Sequence, residues 1–184
     1  MLDTLISSKT RIKLLLKFFL NSNMTSYLRS LEAEFGESTN AIRLELNKLE
    51  KAGMLSSFMK GNKKMFTANT RHPLFSEIRN ILLKHIGIDR LVEGVIMRLG
   101  EVESVYLSGQ FAKGLDSPII DLIFIGNIDT AYLIQLIERV EPVIKRKVRY
   151  LIYQEAEFAD STLNSFDPRP VLLWIKEQQN QRSI

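Results

Sequence analysis

The chain has no cysteine in 184 residues, which excludes disulfides and thiolate metal sites and suits a reducing compartment. Histidine is almost as scarce, with two in all. His72 and His85 stand far from any other ligand type, so no zinc site can be argued. A glycine-rich P-loop and a Ser/His/Asp arrangement are both missing, and no cofactor is expected. Long apolar runs are lacking too. The opening "SSKTRIKLLLKFFLNSN" sets basic residues ahead of apolar ones in the manner of a signal peptide, but Lys17 interrupts the run and no small-residue cleavage site follows. Its apolar residues Ile12, Leu15, Leu16 and Phe19 instead fall at i, i+3, i+4 and i+7, the stripe of an amphipathic core helix. No other stretch approaches the apolar length needed to cross a bilayer, so a soluble, cytoplasmic protein with no membrane partner is expected.

Charge is present but uneven. Residues 1–87 carry 14 Lys and Arg against 7 Asp and Glu, a net of +7, whereas residues 88–184 carry 11 against 14, a net of −3. This asymmetry implies two modules with different partners, and the basic one comes first.

In the first module the spacing predicts a helix over about 8–21. A second helix after the capping candidate Thr25 carries Leu28, Leu31 and Phe35 on one face and stops at Gly36. A third begins near Ser38 or Thr39 and ends at Gly53. Two short strands around Gly61-Asn62 then form a tight hairpin. On the third helix, at 100° per residue, Ile42, Leu46 and Leu49 lie within about 60° of one another, while Asn40, Arg43, Asn47 and Lys51 cluster opposite. The free face holds side chains suited to base edges, since Arg pairs bidentately with guanine and Asn with adenine. Thr39 and Asn40 sit at the helix start, where backbone N–H groups favour a phosphate. Lys48 lies on the same helix. Lys60, Lys63 and Lys64 flank the hairpin tip, where each phosphate contact would steepen salt dependence without choosing a sequence. The alternative is an ordinary amphipathic surface helix, with lysines protecting a strand edge.

Helix, helix, turn, helix and ribbon is a winged helix-turn-helix plan. "STNAIRLELNKLEKAGML", the hairpin and "HPLFSEIRNILLKHIG" together resemble the DNA-binding domain of ArsR-like transcriptional regulators, over nearly all of residues 5–87. The resemblance implies double-stranded DNA as partner. It also implies a homodimer paired through the helix after the wing (Leu74, Ile78, Ile81, Leu82), which would set two reading helices about one DNA turn apart. The same apolar face would serve equally for packing against the second module.

In the second module a helix from Ile88 to Leu99, with apolar residues at 88, 91, 92, 95, 96 and 99, precedes the strand "VESVYLS", the turn "GQFAKG" and the strand "IIDLIFIG". A helix "DTAYLIQLIERVEPVI", a strand "RKVRYLIYQ" and a closing helix "VLLWIKEQQ" follow, an alternation that indicates a small α/β module. Its order, with "LSGQFAKG...DSPIIDLIFIG", resembles the minimal nucleotidyltransferase family. That family has a Gly-Ser turn, an Asp-x-Asp strand and a third carboxylate one strand later. The resemblance assigns Gly109 to the glycine and Asp121 to the second aspartate. Gln110, however, stands in place of the serine, Ile119 in place of the first aspartate, and Val148 to Tyr153 holds no acid. An isoleucine cannot bind a metal and one carboxylate under-coordinates a two-ion site, so no metal is expected and the domain reads as non-catalytic. Asp116, Glu155 and Glu157 are the only acids placed to rescue it. Gly109, Gln110, Lys113 and Asp121 remain candidates for a nucleotide or another anion. The basic run Lys145–Arg149 reads as a solvated turn rather than a DNA contact.

The expected fold class is α+β: an N-terminal winged helix-turn-helix over 1–87, followed by a small α/β nucleotidyltransferase-like domain over 88–184. The expected function is a DNA-binding transcriptional regulator whose second domain serves sensing or assembly. The alternatives are an active nucleotidyltransferase targeted to a protein or nucleotide by the winged helix, and a structural adaptor.

Overall fold

The computed structural model describes residues 2–96 and 100–176, with the side chains of 3, 93–96 and 160 left aside. It is a mixed α and β structure, and no helix among the described residues is long and apolar enough to cross a membrane. The chain divides into two compact units, Met1–Ile88 with Gln110–Ser117 and Asp89–Gly109 with Pro118–Ile184. The main boundary is one residue from the expected one. The segment 110–117, expected in the second module, belongs with the first.

In the first unit a short helix α1 (Leu2–Leu5) precedes α2 (Lys9–Leu15), which Ser8 caps by accepting a hydrogen bond from the Arg11 N–H at 3.2 Å. The predicted helix then continues as a π-helical turn over Leu16–Leu20, all of it buried. Phe19 from this turn stacks on Phe75 at 5.3 Å. The strand β1 (Thr25–Tyr27) leads into α3 (Leu28–Phe35), which ends at Gly36, and Ser38 caps α4 (Thr39–Lys51). The hairpin β2 (Leu55–Lys60) and β3 (Lys63–Ala68) turns at Gly61-Asn62, and α5 (Phe75–Ile86) follows. The three strands form an antiparallel sheet in the order β1-β3-β2.

Thr25 is therefore not the cap of α3. Its backbone pairs with Thr67 in the sheet, and α3 starts at Leu28 without a side-chain cap. A β-branched residue with a strand partner within reach satisfies its backbone in the ladder, and the expected two-stranded ribbon becomes three-stranded.

Segment 110–117 is tied into this unit through its backbone. Lys17, almost fully buried, donates to the Lys113 carbonyl at 3.0 Å and pairs with Glu34 at 2.6 Å. The Asn21 amide donates to the Ala112 carbonyl at 2.9 Å. Gly114, at φ +74°, passes so near Lys17 that a Cβ would lie 2.7 Å from its carbonyl oxygen. A buried ammonium is tolerated only when its charge and its donors are matched, and here the carboxylate and the carbonyl do both.

From the boundary at Ile88, α6 (Ile88–Ile96) leads into the second unit and precedes β4 (Gly100–Ser108), and the short α7 (Gly109–Ala112) that follows passes at Gln110 into the segment grouped with the first unit. Then come β5 (Ile119–Ile128), α8 (Thr130–Ile144), capped by Asp129, and β6 (Lys147–Tyr153). A 3₁₀ turn (Glu155–Glu157), α9 (Asp160–Asn164) and β7 (Val171–Ile175) complete the described chain. The sheet order is β6-β5-β4-β7, with β5 and β6 parallel and joined through α8, and the other pairs antiparallel. β5 lies inside the sheet and is buried from Leu122 to Gly126, as a continuous apolar run demands.

The expected closing helix is corrected. Residues 171–175 form β7, with Trp174 opposite Val105 and Val171 opposite Leu107. Five consecutive apolar residues, one β-branched at each end and one aromatic, match the free backbone edge of β4 better than one face of a helix. Residues 177–179 of that expected helix, and residues 97–99 at the end of the helix expected from Ile88, lie outside the described residues.

Candidate nucleic-acid interface

The orientation of α4 is set from its inner side. Ile42, Leu46 and Leu49 are buried as the helical spacing requires, and Glu45 is buried beside them at 7% exposure. Arg11 on α2 grips that carboxylate with both arms of its fork, Nε at 2.7 Å and Nη2 at 3.3 Å, and Lys48 adds a third donor at 3.1 Å. Burial alone would push the Glu45 carboxyl up, but the hydrogen bonds and charges of Arg11 and Lys48 outweigh it and hold the group below its ordinary value.

The outer side presents Asn40, Arg43, Asn47 and Lys51, all exposed. Among the described residues none of the four side chains has a hydrogen-bond or ion-pair partner. Thr39, in the first turn, is half-buried. Lys48 is exposed but shares the carboxylate of Glu45. Leu44 also faces outward, at 53% exposure. The hairpin is similarly divided. Lys60 is exposed at the end of β2, and Lys63 holds its ammonium 4.3 Å from the centre of the Tyr27 ring. Lys64 pairs with Glu50 at 2.7 Å, and Glu50 also accepts from the Ser57 hydroxyl at 2.5 Å. These two hydrogen bonds hold the Glu50 carboxyl below its usual range. Lys48 and Lys64 thus have acidic partners within the protein, while among the described residues Arg43, Lys51, Lys60 and Lys63 have none.

Between α4, the start of α3 and the hairpin lies an open groove of about 500 Å³ lined by, among others, Tyr27, Arg29, Arg43, Asn47, Asn62 and Lys63. Tyr27 and Arg29 were not legible as site residues because β1 was not, and Asn62 read only as a residue of the hairpin turn. The pairing of β1 with β3 sets Tyr27 opposite Met65 and so carries the start of α3 toward the tip of the hairpin. An arginine in the first turn after an aromatic residue was the available signal.

In the second unit the structure brings Gly109 and Asp121 together, with Ser108 opposite Asp121 on the neighbouring strand. Gly109 has φ +63°, and a Cβ there would collide with the Asp121 carboxylate, 2.8 Å from its Cγ. Asp121 is paired across the parallel strands with Arg149, whose Nε lies 2.7 Å from Oδ1. The hydrogen bond and charge of Asp121 raise the Arg149 guanidinium above its ordinary value. The groove above them, about 410 Å³, is lined by Ser108, Gly109, Asp121, Arg149 and Tyr150, with apolar strand residues. Gln110 and Lys113 do not belong here; they fall in the first unit, and Lys113 gives its carbonyl to Lys17.

Ile119 stands opposite Lys147. Among the described residues no group of three or more His, Asp or Glu side chains could hold a metal ion. The basic run 145–149 has local roles. Lys145 caps α8 at φ +55°, Lys147 pairs with Glu141 at 2.6 Å, and Arg149 serves Asp121. Arg149 was missed as a site residue because, in sequence, it reads only as one of that run.

The depressed carboxyl of Glu45 makes a pH prediction. A carboxylate whose folded pKa lies below its unfolded value, near 4.5, adds stability that is fully present above that value and is lost as pH falls through the folded one. Glu45→Gln should lower the urea midpoint at pH 7. Its stability should also fall less than wild type's between about pH 5 and 3, and equal acid sensitivity in the two proteins would contradict the role given to this group.

No family model matches the chain, and no curated protein or solved structure matches it at a significant level.

Proposed function

We propose that this protein is a transcriptional regulator that binds double-stranded DNA through its first unit, a winged helix-turn-helix in which α4 enters the major groove and the β2–β3 hairpin is the wing. The observation that carries this reading is the outward row Asn40, Arg43, Asn47 and Lys51, unpartnered among the described residues on a helix anchored from behind. Amide and guanidinium groups left free at one surface are the donors and acceptors that base edges require. The order helix, strand, helix, helix, hairpin supports the same assignment. Lys60 and Lys63 serve phosphates, with Lys63 held in place over Tyr27. Lys48 and Lys64 contribute less, since each must first release a carboxylate.

Regulators of this plan read palindromes as homodimers, and Leu74 at the N-cap of α5 and Ile81 within it, both about half-exposed, give that helix an apolar surface for a second copy. The second unit is nucleotidyltransferase-like and non-catalytic, serving to sense an anion or nucleotide or to support assembly. Ile119 cannot ligate a cation, and on the third strand an arginine faces the remaining aspartate and neutralises it. A cytoplasmic location accords with this role.

On a duplex selected from a random pool, Arg43→Ala should weaken binding by about 1–3 kcal/mol and relax the preference at one base position. Lys63→Ala should weaken all duplexes alike and reduce the slope of log K against log salt by about 1. Selection that yields no duplex, or an Arg43→Ala protein with unchanged binding, would overturn the assignment of α4. Labelled ATP with magnesium should give no transfer to the protein or to DNA; transfer abolished by Asp121→Asn would overturn the non-catalytic reading.

A further inference from the structure

We infer that Leu44 determines sequence specificity by packing against the C5 methyl group of a thymine, an inference that rests on the duplex-reading role proposed for α4. Among the described residues of α4, Leu44 is the one large apolar side chain that is exposed, at 53%, while Ile42, Leu46 and Leu49 are buried. It lies about 160° around the helix from Ile42, in the middle of the outward face rather than at the edge of the core stripe. Three of its four helical neighbours are polar, Asn40 four residues before and Asn47 and Lys48 three and four residues after, and the fourth is the small Ala41.

That surrounding decides what can cover it. A protein partner docking on Leu44 would also desolvate Asn40, Asn47 and Arg43, which have no partner among the described residues, and each buried donor or acceptor left unmatched costs about as much as the leucine would gain. The major groove meets both needs. Base edges offer donors and acceptors to the amides and the guanidinium, and thymine offers the groove's one methyl group to an apolar side chain. Leu44 is the sixth residue of α4, within the N-terminal half that a reading helix turns to the bases. Asparagines one turn away on either side suit adenine, so the step that includes this thymine should be A·T-rich.

Replacing thymines of the selected duplex one at a time by deoxyuridine removes the methyl group and leaves every hydrogen-bonding edge unchanged. Wild type should lose about fourfold in affinity at one thymine per half-site, the equivalent of one buried methyl, and be indifferent elsewhere. Leu44→Ala should bind the parent duplex about fourfold more weakly with no further loss at that position, and Leu44→Met, which keeps the apolar reach, should restore the penalty. The exposed side chain can be shortened without opening the core, and an unchanged melting temperature verifies this. A flat deoxyuridine profile in wild type, or the same penalty in Leu44→Ala, overturns the inference. If Arg43→Ala still weakens the parent duplex, only the leucine assignment falls; if wild type binds no duplex, the role of α4 falls with it.

Discussion

The buried carboxylate of Glu45, held by the fork of Arg11 and by Lys48, fixes how α4 is rotated on the rest of the first unit. Three apolar side chains alone would allow the helix to roll by some tens of degrees, because dispersion and burial are not directional. A bidentate arginine is directional, and it links α4 to α2 at one register. With that rotation set, the outward placement of Asn40, Arg43, Leu44 and Asn47 follows from helical geometry. A partly buried ion pair is weak support for stability as such, but it is well suited to selecting one arrangement among several close ones.

The same logic of filled valences separates the two candidate sites. On α4 and the hairpin, acidic residues occupy Lys48 and Lys64, whereas Arg43, Lys51, Lys60 and Lys63 have no acidic partner among the described residues. On the sheet of the second unit the charge is matched within the protein, since Arg149 lies against Asp121 across the parallel strands. Gly109 remains in a left-handed conformation that lets the chain pass over the aspartate.

Much of this was legible in the sequence because it depends on short-range periodicity. The inward stripe Ile42, Leu46 and Leu49, the Ser38 cap, the Gly36 stop and the two-residue hairpin turn are local features. What was not legible depends on pairing across distance. Thr25 reads as a cap until Thr67 is beside it, and 171–175 read as a helix until β4 offers an edge. The burial of Glu45 cannot be seen without Arg11, thirty-four residues earlier. Leu44 was visible as an apolar letter on the polar arc, but an amphipathic reading passes over single exceptions. The attachment of segment 110–117 to the first unit could not be read from a motif that follows β4 in sequence.

The central claim is that the outward face of α4 meets duplex DNA, and side-chain amide NMR of Asn40 and Asn47 during titration with a selected duplex tests it most directly. Both amides should shift strongly and saturate together with the guanidinium of Arg43, while the buried methyl groups of Ile42 on the opposite side stay nearly unmoved. Saturable binding that leaves these amides unperturbed and moves only resonances of other elements would contradict the account.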